Sequence, residues 1–362
     1  MSVESTSVGL DVHARSVVGC GLDGRSGELF ERRLTPNYQD LLTWLRSLSG
    51  PVKVTYEAGS TGFGLARFLL AAGVECVVAA PSKLQRPSGD RVKTDVRDAR
   101  HLARLLHLDE IVAVAVPSAD TEAARDVVRA REDVRGDLMA ARHRVSKLLL
   151  RQGIVYSGGR AWTKAHDVWL REQRFVAPSL QLAYDTSYET MLAAVDRRDR
   201  LDKAIIDMAA ASDFTPVVAR LGCLRGVSTL TAFALAVEIG DWHRLSGRSI
   251  GAYVGLVPTE SSSGRIRSQG GITKTGNMHV RRLLTEAAWH DRKPYRHPGV
   301  DQRRRWHLAS PAARARGQQA NRWLYARWQN FDARKKRPVV ANTAVARELA
   351  GWCWSLAVLE DD

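Results

Sequence analysis

The stretch VKTDVRDARHLARLL, residues 92–106, places two aspartates three positions apart at the start of a predicted helix. On a helical wheel, Asp95 lies in the middle of the apolar stripe that continues through Ala99, and Asp98 lies at the edge of that stripe. Both carboxylates should therefore lean toward the protein interior. A structural interpretation is equally open, because Thr94 is a good N-cap and anions in the first turn stabilise a helix. Matching carboxylates elsewhere in the chain would favour a metal site.

The elements that would position such carboxylates are strands and helices that alternate over residues 1–118. Three strands are followed by a helix, a strand, a helix, a strand and the helix that begins beside Asp95. The turn signal Asp23-Gly24 joins the second and third strands. This order predicts an α/β RNase H-like, or RuvC-like, amino-terminal domain. The predicted strands lie at 6–12, 16–22, 27–34, 52–57 and 74–80, and the predicted helices lie at 37–48, at 62–73 and from Thr94 onward.

Four acidic residues fall where an RNase H-like fold gathers its carboxylates. Asp11 lies inside the first predicted strand, where aspartate is disfavoured, and Glu57 ends the fourth. Asp95 and Asp98 come from the face of the last helix. Together they would hold two Mg²⁺ ions about 4 Å apart for phosphodiester chemistry, with Mn²⁺ as a substitute. Any one of the four alone is more simply a solvated side chain.

Nitrogen and sulfur ligands are not expected at this site. His13 and His101 lie near the acidic residues, but Mg²⁺ prefers oxygen ligands. We therefore interpret both histidines as lying outside the ligand set or at the surface. The four cysteines include no C-x-x-C pair, which argues against a zinc site and against a disulfide framework.

Beyond the first domain the sequence becomes long, charged and helical. Residues 119–212 predict two amphipathic helices, a coiled-coil-like arm that pairs subunits, clamps nucleic acid or simply links the domains. Residues 213–300 predict a mainly α-helical domain with a helix-hairpin-helix-like glycine turn, a serine-glycine loop and a helix capped by Asn277. Residues 301–362 predict a basic, aromatic helical tail.

The charge of the chain predicts a polyanionic partner. There are 54 Lys+Arg against 39 Asp+Glu, a net charge of +15, and residues 292–337 carry fourteen of the basic residues but only two acidic ones. Aromatic side chains interleave with these cations and would stack on unpaired bases. An amphipathic helix pair with an aromatic core and a solvated basic face is the alternative. The predicted nucleic-acid contacts of the tail are Arg303, Arg304, Arg305, Trp323 and Trp328.

The length and hydropathy of the chain predict a multidomain protein of the cytoplasm. The 362 residues suffice for two or three domains. We find neither a run of eighteen apolar residues nor a charged-then-apolar leader, so no membrane span and no secretory signal are predicted.

Four segments together identify a family resemblance. They are GLDVH, YEAGSTGFGLARFL, KTDVRDARHLARLL and AYVGLVPTESSSGRIRSQGGITKTGNMHVRRLLTEAAW, and they closely resemble the DEDD-type transposases of the IS110 family of insertion sequences. The similarity follows the family's order to about Trp289, and the tail beyond is not matched motif by motif. The resemblance implies that Asp11, Glu57, Asp95 and Asp98 are the DEDD set of a RuvC-like domain that uses Mg²⁺.

The resemblance also implies a serine nucleophile in the loop after the GL-P turn. The serine before the glycine, five residues after Pro258, is Ser263. Ser262 is the reserve, because the triple serine blurs the alignment by one position. Cationic side chains near the cut would contact phosphates, unless they are merely solvent-facing charges. These residues are Arg265, Arg267, Lys274, Arg281 and Arg282.

Members of this family excise and insert their element, and the resemblance implies a covalent phosphoserine-DNA intermediate followed by strand exchange. Some members are guided by a structured bridge RNA that pairs with donor and target DNA. They assemble as dimers and tetramers in which the serine of one subunit completes the acidic site of another. Two alternatives stay open: a RuvC-like nuclease or Holliday-junction resolvase that activates water, and a non-catalytic nucleic-acid-binding protein. Replacing Ser263 by Ala would abolish recombination but leave a water-using nuclease intact.

Overall fold

The computed structural model describes residues 5–84, 94–263 and 266–360. Contacts within the chain divide it into two units, Met1–Ser118 and Ala119–Asp362. The three segments predicted beyond residue 118 all belong to the second unit. In the part of the chain that the structure describes, no helix combines the length and apolar character that crossing a membrane requires.

The first unit is built on a mixed β-sheet. Its elements are β1 (Thr6–Val12), β2 (Val17–Asp23), β3 (Leu29–Leu34), α1 (Tyr38–Arg46), β4 (Val52–Glu57), α2 (Gly64–Ala71), β5 (Glu75–Ala79), α3 (Asp95–His107) and β6 (Ala113–Val114). The strand order is β3-β2-β1-β4-β5-β6. β1 pairs antiparallel with β2 and parallel with β4, β5 runs parallel to β4, and β3 and β6 are antiparallel edges. This mixed sheet, with its elements in the predicted order, is consistent with an RNase H-like domain.

Apolar residues attach helices to both faces of this sheet. On one face, Leu10 of β1 and Tyr56 of β4 pack with Leu41 of α1 and Leu69 of α2. On the other face, Ala99 of α3 packs with Val18 and Cys20 of β2. Because successive residues of a strand point to opposite faces, β1 presents alternate residues to α3 and to the other two helices.

The second unit is mainly helical. Its elements are α4 (Ala119–Arg151), α5 (Lys164–Arg171), α6 (Pro178–Ala210), α7 (Thr215–Leu221), α8 (Thr229–Ile239), α9 (Ile250–Tyr253), β7 (Pro258–Ser263), β8 (Ile266–Ile272), α10 (Met278–Ala288), α11 (Val300–Trp306), α12 (Pro311–Ala333) and α13 (Pro338–Ala357). α4 and α6 have 33 residues each, so each is about 50 Å long, and they pack against one another. Their shared apolar side chains include Leu148 and Tyr184.

The core of the second unit surrounds α8, a helix that is apolar on nearly every side. Phe233 and Leu235 of α8 are fully buried together with Leu284 of α10. Leu324 of α12 and Leu349 of α13 lie in the same cluster. The segment predicted as a basic tail therefore supplies part of the core rather than extending from it.

Candidate functional site

Three of the four predicted carboxylates converge on one cavity in the first unit. Asp11 lies near the end of β1 and Glu57 is the last residue of β4, and the paired residues Leu10 and Tyr56 directly precede them. Asp98 reaches the same place from α3, and the three side chains line a cavity of about 200 Å³. The carboxyl ends of neighbouring parallel strands thus form one side of the site and a helix forms the other.

A glycine allows α3 to approach the sheet closely at this point. Gly9 precedes Asp11 by two residues, so both face α3. A Cβ atom at Gly9 would lie 2.1 Å from the carbonyl oxygen of Ala99 and 2.5 Å from the backbone nitrogen of Ala103. The helix backbone therefore rests directly on β1, and its first turn is fixed beside Asp11.

Asp95 lies at the start of α3 among cationic and acidic neighbours. The predicted N-cap is confirmed, since Thr94 Oγ1 accepts a backbone hydrogen bond from the first turn. His13 Nε2 lies 3.2 Å from Asp11 Oδ2 and 3.9 Å from Asp95 Oδ1. Arg33 of β3 places Nη2 3.3 Å from Asp95 Oδ2. One ligand atom from each of Asp11, His13 and Asp95 lies within 4.8 Å of the others.

The electrostatics of this cluster favour a bound cation. Burial raises the pKa of Asp11, His13 opposes that change, and the neighbouring carboxylates of Asp95 and Asp98 raise the pKa further. A divalent cation would relieve the repulsion, because opposite charge stabilises the ionised carboxylates. Carboxylate oxygens are the donors that Mg²⁺ and Mn²⁺ prefer, so the donor set fits a divalent ion.

His101 also presents a nitrogen to the acidic cavity. Its side chain lines the cavity together with Asp98, one turn earlier on α3. Its Nε2 atom is buried and has no hydrogen-bond partner among the described residues. A buried polar atom without a partner usually contacts a water molecule or an ion.

The serine-rich segment of the second unit forms a strand, not the flexible loop that was expected. β7 and β8 pair antiparallel, so hydrogen bonds within the hairpin replace those that a loop would make to solvent. Ser262 Oγ donates to Glu260 Oε1 at 2.9 Å. Ser263 ends β7. The side chains of Ser263 and Arg267, and the whole of Arg265, lie outside the described part of the chain.

Of the predicted phosphate contacts that follow the hairpin, two hold the protein's own structure together. Arg281 donates from Nη1 to two backbone carbonyls, at 2.9 and 2.8 Å. Arg282 forms ion pairs with Glu132 and Glu286. Lys274 is exposed and has a φ of 55° in the turn before α10. Lys274 is thus the better placed of the three to meet a phosphate.

The predicted contacts of the carboxy-terminal segment separate into exposed and buried groups. Arg303 and Arg304 are exposed, whereas the half-buried Arg305 donates to a backbone carbonyl at 3.3 Å. Trp323 is 53% exposed and donates from its indole nitrogen to a carboxylate at 2.7 Å. The prediction that Trp328 stacks on bases is wrong, because its ring is fully buried and its indole nitrogen donates to a carbonyl of α10.

A buried ionic network, which the sequence did not lead us to expect, holds the start of α10. The side chain of Glu238 is 1% exposed and accepts hydrogen bonds from Arg129 at 3.0 and 3.1 Å and from Asn277 at 2.7 Å. Burial opposes ionisation of Glu238, but hydrogen bonds from His279, Arg129 and Asn277 outweigh it and lower its pKa to about 2. The one available signal was a lone acidic residue in the apolar sequence of α8. The network ties α4, α8 and α10 together.

Known proteins resemble this chain over both units. Residues 8–153 match the model of DEDD-type IS110 transposases, described as Transposase, and residues 218–300 match the Transposase IS116/IS110/IS902 family. The putative transposase y4qE of Sinorhizobium fredii is 38% identical over 97% of this chain and 88% of its own length. The transposase for insertion sequence element IS1533 of Leptospira borgpetersenii is 31% identical over 91% of this chain and 97% of its own.

The first of these matches includes all four carboxylates, and its DEDD type implies use of a divalent metal. The residues that line the cavity and the Asp-His-Asp group all lie within this matched range, residues 8–153. Because these two relatives match nearly the full length of the chain, and both family models match within it, the chain belongs to the IS110 family of DEDD-type transposases.

Proposed function

We propose that this transposase excises and inserts its element by metal-dependent cleavage, with a serine that becomes covalently joined to DNA. The observation that carries the proposal is the convergence of Asp11, Glu57 and Asp98 on one cavity. Asp95 lies close to Asp11, and His13 is near both carboxylates. Carboxylates alone would repel a phosphodiester, so this cavity suits DNA only with cations between them. Two Mg²⁺ ions, or Mn²⁺ in their place, would polarise the scissile phosphate and stabilise the leaving oxygen.

In this scheme the four carboxylates hold the cations and Ser263 is the nucleophile. The Ser263 oxygen bonds to phosphorus as the bond from phosphorus to one sugar oxygen breaks. The hydroxyl proton is released and the departing sugar oxygen gains a proton. The phosphorus thus remains a diester, now between the DNA strand and the serine. The reverse reaction with a new strand completes the exchange. Ser262, whose hydroxyl donates to Glu260, stays the reserve nucleophile.

We extend the proposal to the partners of the protein. The net charge of +15 supports binding of both donor and target DNA and of a structured guide RNA that pairs with them. Lys274, Arg303, Arg304 and Trp323 are the exposed candidates for these contacts. We propose a dimer or tetramer in which the acidic site and the serine come from different subunits, as the family resemblance implies.

The test is a search for protein covalently bound to DNA. Purified protein, its flanking non-coding RNA, Mg²⁺ and labelled donor and target DNA are incubated and resolved on a denaturing gel. We expect an adduct that disappears in Asp11→Ala and in Ser263→Ala but persists in Ser261→Ala, the matched control on the same strand. Loss in Ser262→Ala instead would move the nucleophile by one residue.

The alternative function is a RuvC-like nuclease or junction resolvase that uses activated water. It requires the same carboxylates but no serine. Cleavage without any adduct, undiminished in Ser263→Ala, would support that alternative and contradict the serine mechanism.

A further inference from the structure

We propose that His13 is itself a ligand of one of the two divalent cations, so that this ion has mixed nitrogen and oxygen donors and its position prefers Mn²⁺ to Mg²⁺. The inference rests on the proposed function of the acidic site and refines it. It also revises the interpretation from sequence, which placed His13 outside the ligand set.

The distances between the donor atoms suit a single ion. Ligands about 2.1 Å from a metal lie about 3.0 Å apart when they are at right angles and about 4.2 Å apart when they are opposite. His13 Nε2 is 3.2 Å from Asp11 Oδ2 and 3.9 Å from Asp95 Oδ1, and both separations fall between these limits. The ligand atoms of Asp11 and Asp95 lie within 4.8 Å of one another, so small movements of these carboxylates bring all three donors onto one ion.

The position of His13 is tied to the sheet while its ring stays accessible. Its backbone nitrogen donates to the carbonyl of Ser16 at 3.0 Å, which closes the turn between β1 and β2. The side chain is 55% exposed and also lines the cavity with Asp11 and Glu57. An ion that enters from solvent thus meets the imidazole without unfolding of the strand.

The chemistry of an imidazole donor sets the preference. Mg²⁺ demands nearly ideal octahedral oxygen coordination and keeps much of its water. Transition ions accept nitrogen donors more readily, and Mn²⁺ also suits the carboxylates that complete this set. The same argument predicts that replacing the imidazole by a carboxylate shifts the preference toward Mg²⁺.

The experiment is Mn²⁺ titration of the full chain without nucleic acid, followed by pulsed electron paramagnetic resonance. We expect modulation from a directly bound ¹⁴N nucleus in the wild type. His13→Ala should lose it and weaken Mn²⁺ binding by about tenfold or more. His101→Ala, which removes the other histidine of the cavity, should retain it. His13→Asp should bind without modulation and with a lower ratio of Mn²⁺ to Mg²⁺ affinity.

Three results would overturn the inference while leaving the acidic site in place. The first is Mn²⁺ binding to the wild type without ¹⁴N modulation, the second is modulation that persists in His13→Ala, and the third is modulation that vanishes in His101→Ala. Wild-type protein that binds no Mn²⁺, or binding that Asp11→Ala does not change, would instead overturn the metal site of the proposed function as well. Circular dichroism of each variant establishes that it is folded.

Discussion

The Glu238→Gln substitution tests whether the buried carboxylate in α8 stabilises the second unit. Gln keeps the shape of the side chain but removes the charge that Arg129 meets through two hydrogen bonds. The pKa of Glu238 falls from 4.5 to about 2 in the folded chain. At about 1.4 kcal/mol for each pH unit, the ionised form contributes on the order of 3 kcal/mol to the free energy of unfolding. The Arg129 side chain is 58% exposed, so the loss should lie at the lower end of the about 3–5 kcal/mol that breaking a buried ion pair typically costs.

The contribution of Glu238 to the free energy of unfolding depends on pH in a definite direction. Because the folded-state pKa of Glu238 is depressed, its contribution is fully present above pH 4.5 and is lost as the pH falls toward about 2. The wild type should therefore exceed Glu238→Gln in stability by about 3 kcal/mol at pH 7. The difference should shrink steadily below pH 4.5.

Urea unfolding followed by tryptophan fluorescence measures this difference in the free energy of unfolding of the second unit. Trp44 is the only one of the ten tryptophans that lies before residue 119, so the signal reports mainly the second unit. Glu286→Gln is the matched control, since Glu286 is 56% exposed in its pair with Arg282 and should change stability by less than about 1 kcal/mol. Equal stability of wild type and Glu238→Gln at pH 7, or a loss that is independent of pH, would refute the reasoning.

Three further substitutions test other parts of the structure. Gly9→Ala should destabilise the first unit by about 3 kcal/mol or more in thermal unfolding, because its Cβ would lie 2.1 Å from helix backbone. Gly21→Ala is the control and should have a small effect, because its nearest contacts are at 3.4 Å. Burial raises the pKa of Asp291 to about 8. The free-energy cost of keeping Asp291 buried therefore grows between pH 3.8 and about 8, and the wild type should lose thermal stability over that range. Asp291→Asn should lose less over the same range, because its amide does not ionise. Arg33→Gln should raise Mn²⁺ affinity up to about fivefold in calorimetry, since it removes a competing exposed cation from Asp95; weaker binding would contradict this.

Local signals in the sequence predicted much of the first unit. β1 occupies the predicted residues, because alternating apolar residues and a turn signal act over a few positions. Thr94 and Asn277 cap α3 and α10 as expected, since a cap bonds to backbone two or three residues away. The carboxylates that line the cavity were likewise chosen from strand and helix positions alone.

Interactions between distant segments were not predictable in the same way. The partners of Glu238 lie 109 and 39 residues away, on α4 and at the start of α10. Trp328 follows Ala320 and Leu324 at four-residue spacing on the buried stripe of α12, but the surrounding cations favoured a surface interpretation. The contact of His13 with Asp95 depends on how the β1–β2 turn meets α3, which no local pattern encodes.

The glycine that seats α3 on β1 also has a consequence for when the transposase becomes capable of cutting. Asp11 and Glu57 are synthesised well before Asp95 and Asp98, and only the docking of α3 against Gly9 unites the two pairs. A nascent chain, or one in which α3 has locally opened, would carry carboxylates on the sheet without a complete proposed metal site. Under the proposed mechanism, cleavage would then require a chain in which α3 has been made and has docked on β1.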